Sequence, residues 1–311
     1  MRTIQFIIAP RRTPDRQNWI NTVRQEAGRA KAIVLVDRPE PTDPPARQVE
    51  MIRKAITRDV DALLVEPMDD PEVLQALGEV HAKGIPLVVI GPKRPIESPQ
   101  EGKPAPLVFV DFAPFEPSVQ ELVGAIQRDA RGSGIPGTSH VLIAVNTEYG
   151  PENDDEIAAL TSALRAAGFG SVETVPFSED YVKGSDALLA QLKADPKVQV
   201  LVAMEDKGIS AIMDAYAKFK DQRAMSLAGI MTIEKAQGPG VFKQCAAVVD
   251  RNGITLSRQA IQLALRMARG GTLETYPPEL VIPMPIYGTA VDDLPEVKAS
   301  EVAPNLVRPG R

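Results

Sequence analysis

The chain has 311 residues, of which 44% are hydrophobic and 24% charged, and its formal net charge is −6. That length suits two domains rather than one small core, the acidic balance without any dense Lys/Arg block argues against a nucleic-acid surface, and a single cysteine, Cys245, excludes an intramolecular disulfide. The opening MRTIQFIIAP has an apolar run too short for a secretory leader or a membrane span and reads as a strand, so the sequence predicts either a cytosolic chain or one whose leader has been removed.

In chain order, residues 4–9 predict a strand and residues 11–18 a polar loop, after which Trp19, Ile20, Val23 and Ala27 share a helix face that ends near Gly28. Residues 32–36 predict a second strand and residues 39–45 a loop. The stretch 48–91 is the organising one. Met51, Ile52, Ala55 and Ile56 recur at helical spacing, and residues 62–65 are continuously apolar. Val73, Leu74, Leu77 and Val80 form a second helix face, with Asp69 or Asp70 placed to cap it, Pro71 in its first turn and Gly84 to stop it. Residues 87–90 are again apolar. Such alternation predicts a parallel sheet with right-handed crossovers and any site at the carboxyl ends of its strands, here Glu66-Pro67 and residues 91–94. Residues 92–106 lack periodicity, and residues 107–110 predict a strand ended by Asp111.

From Pro117 the pattern restarts. Val119, Leu122, Val123 and Ile126 are helical, residues 131–137 read as a Gly-rich loop, and residues 140–145 as a strand. Helices over 155–167, 185–193 and 209–219 then alternate with strands over 171–177, 198–203 and 225–230. A strand over 245–249, a helix over 256–267 and a strand over 280–283 follow. The expected fold class is α/β, with two similar Rossmann-like lobes.

The residues Val60-Asp61-Ala62-Leu63-Leu64-Val65-Glu66-Pro67 and Gly84-Ile85-Pro86-Leu87-Val88-Val89, together with the order of elements over roughly 4–286, resemble the sugar-type periplasmic binding proteins. The effector domains of the lactose-repressor family share that fold. The resemblance implies two lobes with parallel sheets joined by a three-strand hinge, with crossings near Asp111, Asp250 and Pro283. The lobes would be 1–110 plus 251–281 and 111–250 plus 282–311. It further implies a solute-binding protein that closes on a sugar or sugar-like ligand for an ABC permease or sensor. No cofactor, nucleic-acid partner, membrane insertion or catalysis is implied, and the implied location is the periplasm or cell envelope, with the cytoplasm as the alternative. The competing expectations are a cytosolic effector-sensing domain without its DNA-binding part and, third, a cleft enzyme using Asp206 or Glu156.

A cleft between lobes draws its ligand groups from strand ends and helix starts. The candidates are Arg11, Arg12, Trp19, Glu66 and Arg94 in the first lobe, Glu156, Glu205, Asp206 and Thr232 in the second, and Asp111 and Asp250 at the hinge. Trp19 either stacks on a ligand ring, as an aromatic near this loop does in the family, or simply packs on its lobe. Asp206 either binds ligand or caps the helix that follows. Glu156 stands near the place where relatives carry an Arg, in an acidic run that a helix start would favour anyway. Residues 229–232 lack the Asp that relatives place after the glycine. These two departures imply that a simple pentose or hexose is not bound in the family's usual way. Neither His81 nor His140 has a second ligand at metal spacing, and no phosphate loop or nucleophile elbow occurs.

Overall fold

Strands covered on both faces carry no polar alternation, and the first lobe is built around two of them. Ala62–Val65 (β3) and Leu87–Ile90 (β4) are buried at every position. In the computed structural model, which describes residues 1–10, 14–97, 105–147, 154–177, 180–221, 223–231, 244–270 and 276–289, they lie centrally in a six-stranded sheet. Its other strands are Thr3–Ile7 (β1), Ile33–Asp37 (β2), Leu107–Phe112 (β5) and Glu279–Ile282 (β11), in the order β11-β5-β4-β3-β1-β2. Every neighbouring pair is parallel.

Helices cover both faces. Pro14–Arg29 (α1) and Gly253–Met267 (α8) bury Trp19, Val23, Leu256 and Ile261 against Phe6, Ile8 and Leu64. Pro45–Thr57 (α2) and Pro71–Ala82 (α3) bury Ile52 and Leu77 against Ile7, Leu63 and Val89. The side chain of Asp70 caps α3 by accepting the Glu72 N–H, with Pro71 at the first helical position.

The second lobe repeats the scheme. His140–Asn146 (β6), Val172–Phe177 (β7), Val198–Ala203 (β8), Ser226–Met231 (β9), Ala247–Asp250 (β10) and Ile286–Tyr287 (β12) form a sheet of order β12-β10-β9-β8-β6-β7. Only the short β12 runs antiparallel to its neighbour. Phe115–Gly132 (α4) and Asp154–Ala166 (α5) pack on one face, and Tyr181–Ala194 (α6) and Asp206–Lys218 (α7) on the other.

Several helices start earlier than the apolar pattern predicts: α1 at Pro14, α6 at Tyr181 and α7 at Asp206. A first turn is held by caps and charges and need bury nothing, so periodicity begins a turn late. Helix α4 also continues to Gly132, into the predicted glycine loop.

The connections between the sheets are short, and this fixes how the lobes meet. Two residues join the carboxyl end of β5 to α4, two join the carboxyl end of β10 to α8, and three join the carboxyl end of β11 to β12. The first residue of β12 pairs with Val249, near the carboxyl end of β10. Helices in such lobes run back against their strands, so each crossing links one sheet's carboxyl edge to the other's. The two carboxyl edges therefore adjoin. The crossings also bond to one another: Ala113 N donates to Ile282 O at 2.8 Å, Asp250 N to Pro285 O at 2.8 Å, and Asn252 Nδ2 to Pro283 O at 3.1 Å.

Candidate functional site

At the first lobe's carboxyl edge Glu66 leaves β3 with its side chain turned under the edge. Its Oε2 accepts the Ala9 N–H at 3.1 Å and the Arg16 Nε–H at 3.1 Å, while Arg16 Nη2 donates to Oε1. The two side chains are only 12% and 10% exposed. Gln48 braces the same turn, donating to Glu66 O at 2.9 Å and accepting the Met68 N–H at 2.7 Å. A cation in a helix's first turn is opposed by the macrodipole. Arg16 occupies that position because Glu66 and the Trp19 ring hold it, the guanidinium carbon lying 4.1 Å from the ring centroid.

Trp19 does not offer an open ring to the cleft. It is 2% exposed, covered by Arg16 and inclined against Phe112 at 6.4 Å between centroids. Of the two expectations for this residue, the geometry has the packing one: Trp19 sits on the inward face of α1. Arg94 pairs with the exposed Asp69. Asp111 accepts the N–H of Phe112 at 2.9 Å; burial pushes its carboxyl above the usual range, the Phe112 N–H opposes that, and Glu279 and Arg94 act weakly in opposite senses. Arg11 and Arg12 lie outside the described residues.

The second lobe places Glu156, in the first turn of α5, opposite Arg251, which follows β10. Arg251 donates Nη1 to Oε1 at 3.0 Å and Nη2 to Oε2 at 2.5 Å, a two-pronged pair spanning 95 residues of sequence. The backbone N–H of Arg251 donates to Met231 O at 2.8 Å, which ties the pair to the end of β9. Asp250 shapes the crossing: its Oδ1 accepts the Asn252 N–H at 2.7 Å, and Asn252 takes the left-handed conformation at φ 51°. Thr232 lies outside the described residues.

Glu205 is the amino cap of α7, correcting the expectation that Asp206 caps it. The Glu205 carboxylate accepts the Lys207 N–H at 2.8 Å and the Gly208 N–H at 2.6 Å and is 3% exposed, whereas Asp206 is already the first helical residue. The longer Glu side chain reaches back over the turn, which a search for Asp or Asn caps overlooks.

The structure thus brings together Arg16, Glu66 and Trp19, and separately Glu156 and Arg251. It leaves Arg94 with Asp69. Sequence reasoning passed over Arg16 and Arg251. A readable signal existed for each: Arg16 lies one helical turn before the only tryptophan, and Arg251 directly follows a strand end. A shallow depression of about 410 Å³ along α5, lined by Asp154, Ile157, Ala158, Thr161, Ser162 and Arg165, draws on one helix only and lacks the convergent groups of a binding site. Among the described residues no group of three or more His, Cys, Asp or Glu could hold a metal ion.

Residues 6–272 match the model of the periplasmic binding protein domain. Solved structures with the same fold include an ABC transporter solute-binding protein from Burkholderia graminis in complex with D-arabinose, at 16% identity and TM-score 0.63, covering 92% of this chain and 95% of that one. A carbohydrate transporter solute-binding protein from Agrobacterium radiobacter, also in complex with D-arabinose, is 14% identical with TM-score 0.67 and covers 96% and 98%. A solute-binding protein from Bacillus halodurans with bound myo-inositol is 15% identical with TM-score 0.65 and covers 92% and 94%. A search of curated protein sequences returns no match. With two α/β lobes meeting at their carboxyl edges and most of its length matched by one family model, the chain belongs to the periplasmic binding protein domain family.

Proposed function

We propose that the protein is a solute-binding protein that closes its lobes, 1–110 plus 251–281 and 111–250 plus 282–311, on a sugar or sugar-like polar molecule. The observation that carries the reading is that a carboxylate at each carboxyl edge already orients an arginine: Glu66 holds Arg16 within the first lobe, and Glu156 of the second lobe holds Arg251 at the crossing between β10 and α8. Oriented guanidinium groups suit the donation of paired hydrogen bonds to ligand oxygens. Short crossings let two rigid sheets rotate as bodies, converting binding into a shape that a partner can recognise. The family match and the ligands named for the similar solved structures support a carbohydrate or polyol class. An ABC permease or a sensor is the partner that would read the closed form, and the cell envelope the compartment. Among the described residues no helix is long and apolar enough to cross a membrane. Binding without turnover is the activity this arrangement serves.

A thermal-shift screen against sugars, polyols, sugar acids, amino acids, polyamines and nucleosides tests the proposal. A concentration-dependent rise in melting temperature with a compound of the first three classes, recovered unchanged after incubation, is the expected result. A response confined to amino acids, polyamines or nucleosides, or conversion of the compound, would refute it.

A further inference from the structure

The amino end of α8 combines two features that call for an acceptor from outside the chain. Its cap position, Asn252, is left-handed and makes no side-chain capping bond; the Asn252 amide is directed to Pro283 O instead. The first turn contains no acidic residue. The initial N–H groups of a helix have no acceptor within it, and the macrodipole adds partial positive charge there. Independently, the Trp19 Nε1–H is buried and has no hydrogen-bond partner among the described residues. Trp19 is 2% exposed, and its N–H edge rests on Gly253, the first residue of α8: a Cβ there would come within 2.5 Å of Nε1, closer than any side chain allows. Gly253 thus lets the indole donor meet the helix end. A buried donor without an acceptor is destabilising, and a ligand oxygen in this corner would relieve it. The corner lies at the crossing between β10 and α8, at the carboxyl edge of the first sheet, with Arg16 over the indole and Arg251 next but one to Gly253 in sequence.

We infer that this corner is an oxyanion subsite of the cleft, and that the solute carries an acidic group on a hydroxyl-rich skeleton, received by the Trp19 Nε1–H and the first N–H groups of α8. The inference rests on the solute-binding reading and deepens it. Carboxylate and phosphate share the required chemistry.

Calorimetric titration with D-gluconate, D-glucuronate and D-glucose 6-phosphate, against D-glucose, myo-inositol and inorganic phosphate, separates the sources. One of the acidic compounds should bind at least tenfold more tightly than its neutral counterpart, the ratio expected of one charge-assisted hydrogen bond. Response to gluconate or glucuronate would assign a sugar acid, and response to the phosphate ester a sugar phosphate. Trp19→Phe, which keeps an aromatic ring in the packing and deletes the donor, should reduce that preference about tenfold. In the unaltered protein labelled with ¹⁵N, the single indole N–H resonance should move downfield on addition of the same acid. Tighter binding of D-glucose or myo-inositol than of any acid would overturn the subsite and leave the solute-binding reading intact. An indole resonance that stays in place at saturation with a bound acid would overturn the subsite alone. Silence of all six compounds beside a response to another sugar or polyol would do the same.

Discussion

The two lobes solve one problem in different ways. Each brings an arginine and a glutamate together at its carboxyl edge, but the first lobe's pair is nearly enclosed, at 12% and 10% exposure, and the second's is more open, at 20% and 24%. Glu66 also receives the Ala9 N–H, so it joins β1, α1 and β3. Glu156 meets an arginine from a crossing. The difference teaches that one chemical pair can act as a tie within a lobe or as a contact across the hinge, according to burial and to what else shares the carboxylate.

The largest effect should come from breaking the enclosed pair. Glu66→Ala leaves Arg16 buried without its counter-charge and strands the Ala9 N–H, and is expected to cost about 3 kcal/mol or more in urea unfolding. The equivalent change at Glu156 should cost far less, and equal losses would dissolve the contrast. Alkaline titration should single out the second lobe next. Burial pushes the Cys245 thiol from 9.0 up to about 11. Its contribution is therefore complete below pH 9 and is lost as pH rises through about 11, by about 3 kcal/mol, and the Cys245→Ala protein should lack that part of the decline. Glu205→Ala removes a buried carboxylate that caps the Lys207 and Gly208 N–H groups. A loss of about 1–2 kcal/mol is expected, placing it between Glu66 and Glu156 if burial sets the order. Arg251→Ala should change stability by less than about 1 kcal/mol yet weaken binding of the solute about tenfold, since the guanidinium is one of its donors. Calorimetry on the melted and the liganded protein separates those two readouts.

Much of the fold was legible because burial on both faces leaves apolar runs with little competing pattern. Residues 198–203 were read with the bounds that β8 shows, and Asp70 with Pro71 announced α3. Helix starts were legible only from their second turn, as at α7, where Asp206 and Lys207 are half-buried and the buried Gly208 has no side chain to add to the apolar pattern. The site was less legible. Arg16 falls within what reads as a polar loop, and nothing local shows that Glu66, 50 residues on, will receive it. The Arg251 and Glu156 pairing depends on where the crossing after β10 begins and has no signature in spacing. Trp19 was visible as an unusual residue, but that its N–H edge rests against the amino end of α8 depends on Gly253, far away in sequence, lacking a side chain.

Closure of the lobes on a solute is the central claim, and small-angle X-ray scattering tests it most directly. The protein would be measured alone and at saturation with whichever sugar, polyol or sugar acid raises its melting temperature. A smaller radius of gyration in the saturated protein, reverting when the compound is dialysed away, is the predicted result. An unchanged scattering curve at demonstrated saturation would contradict the account.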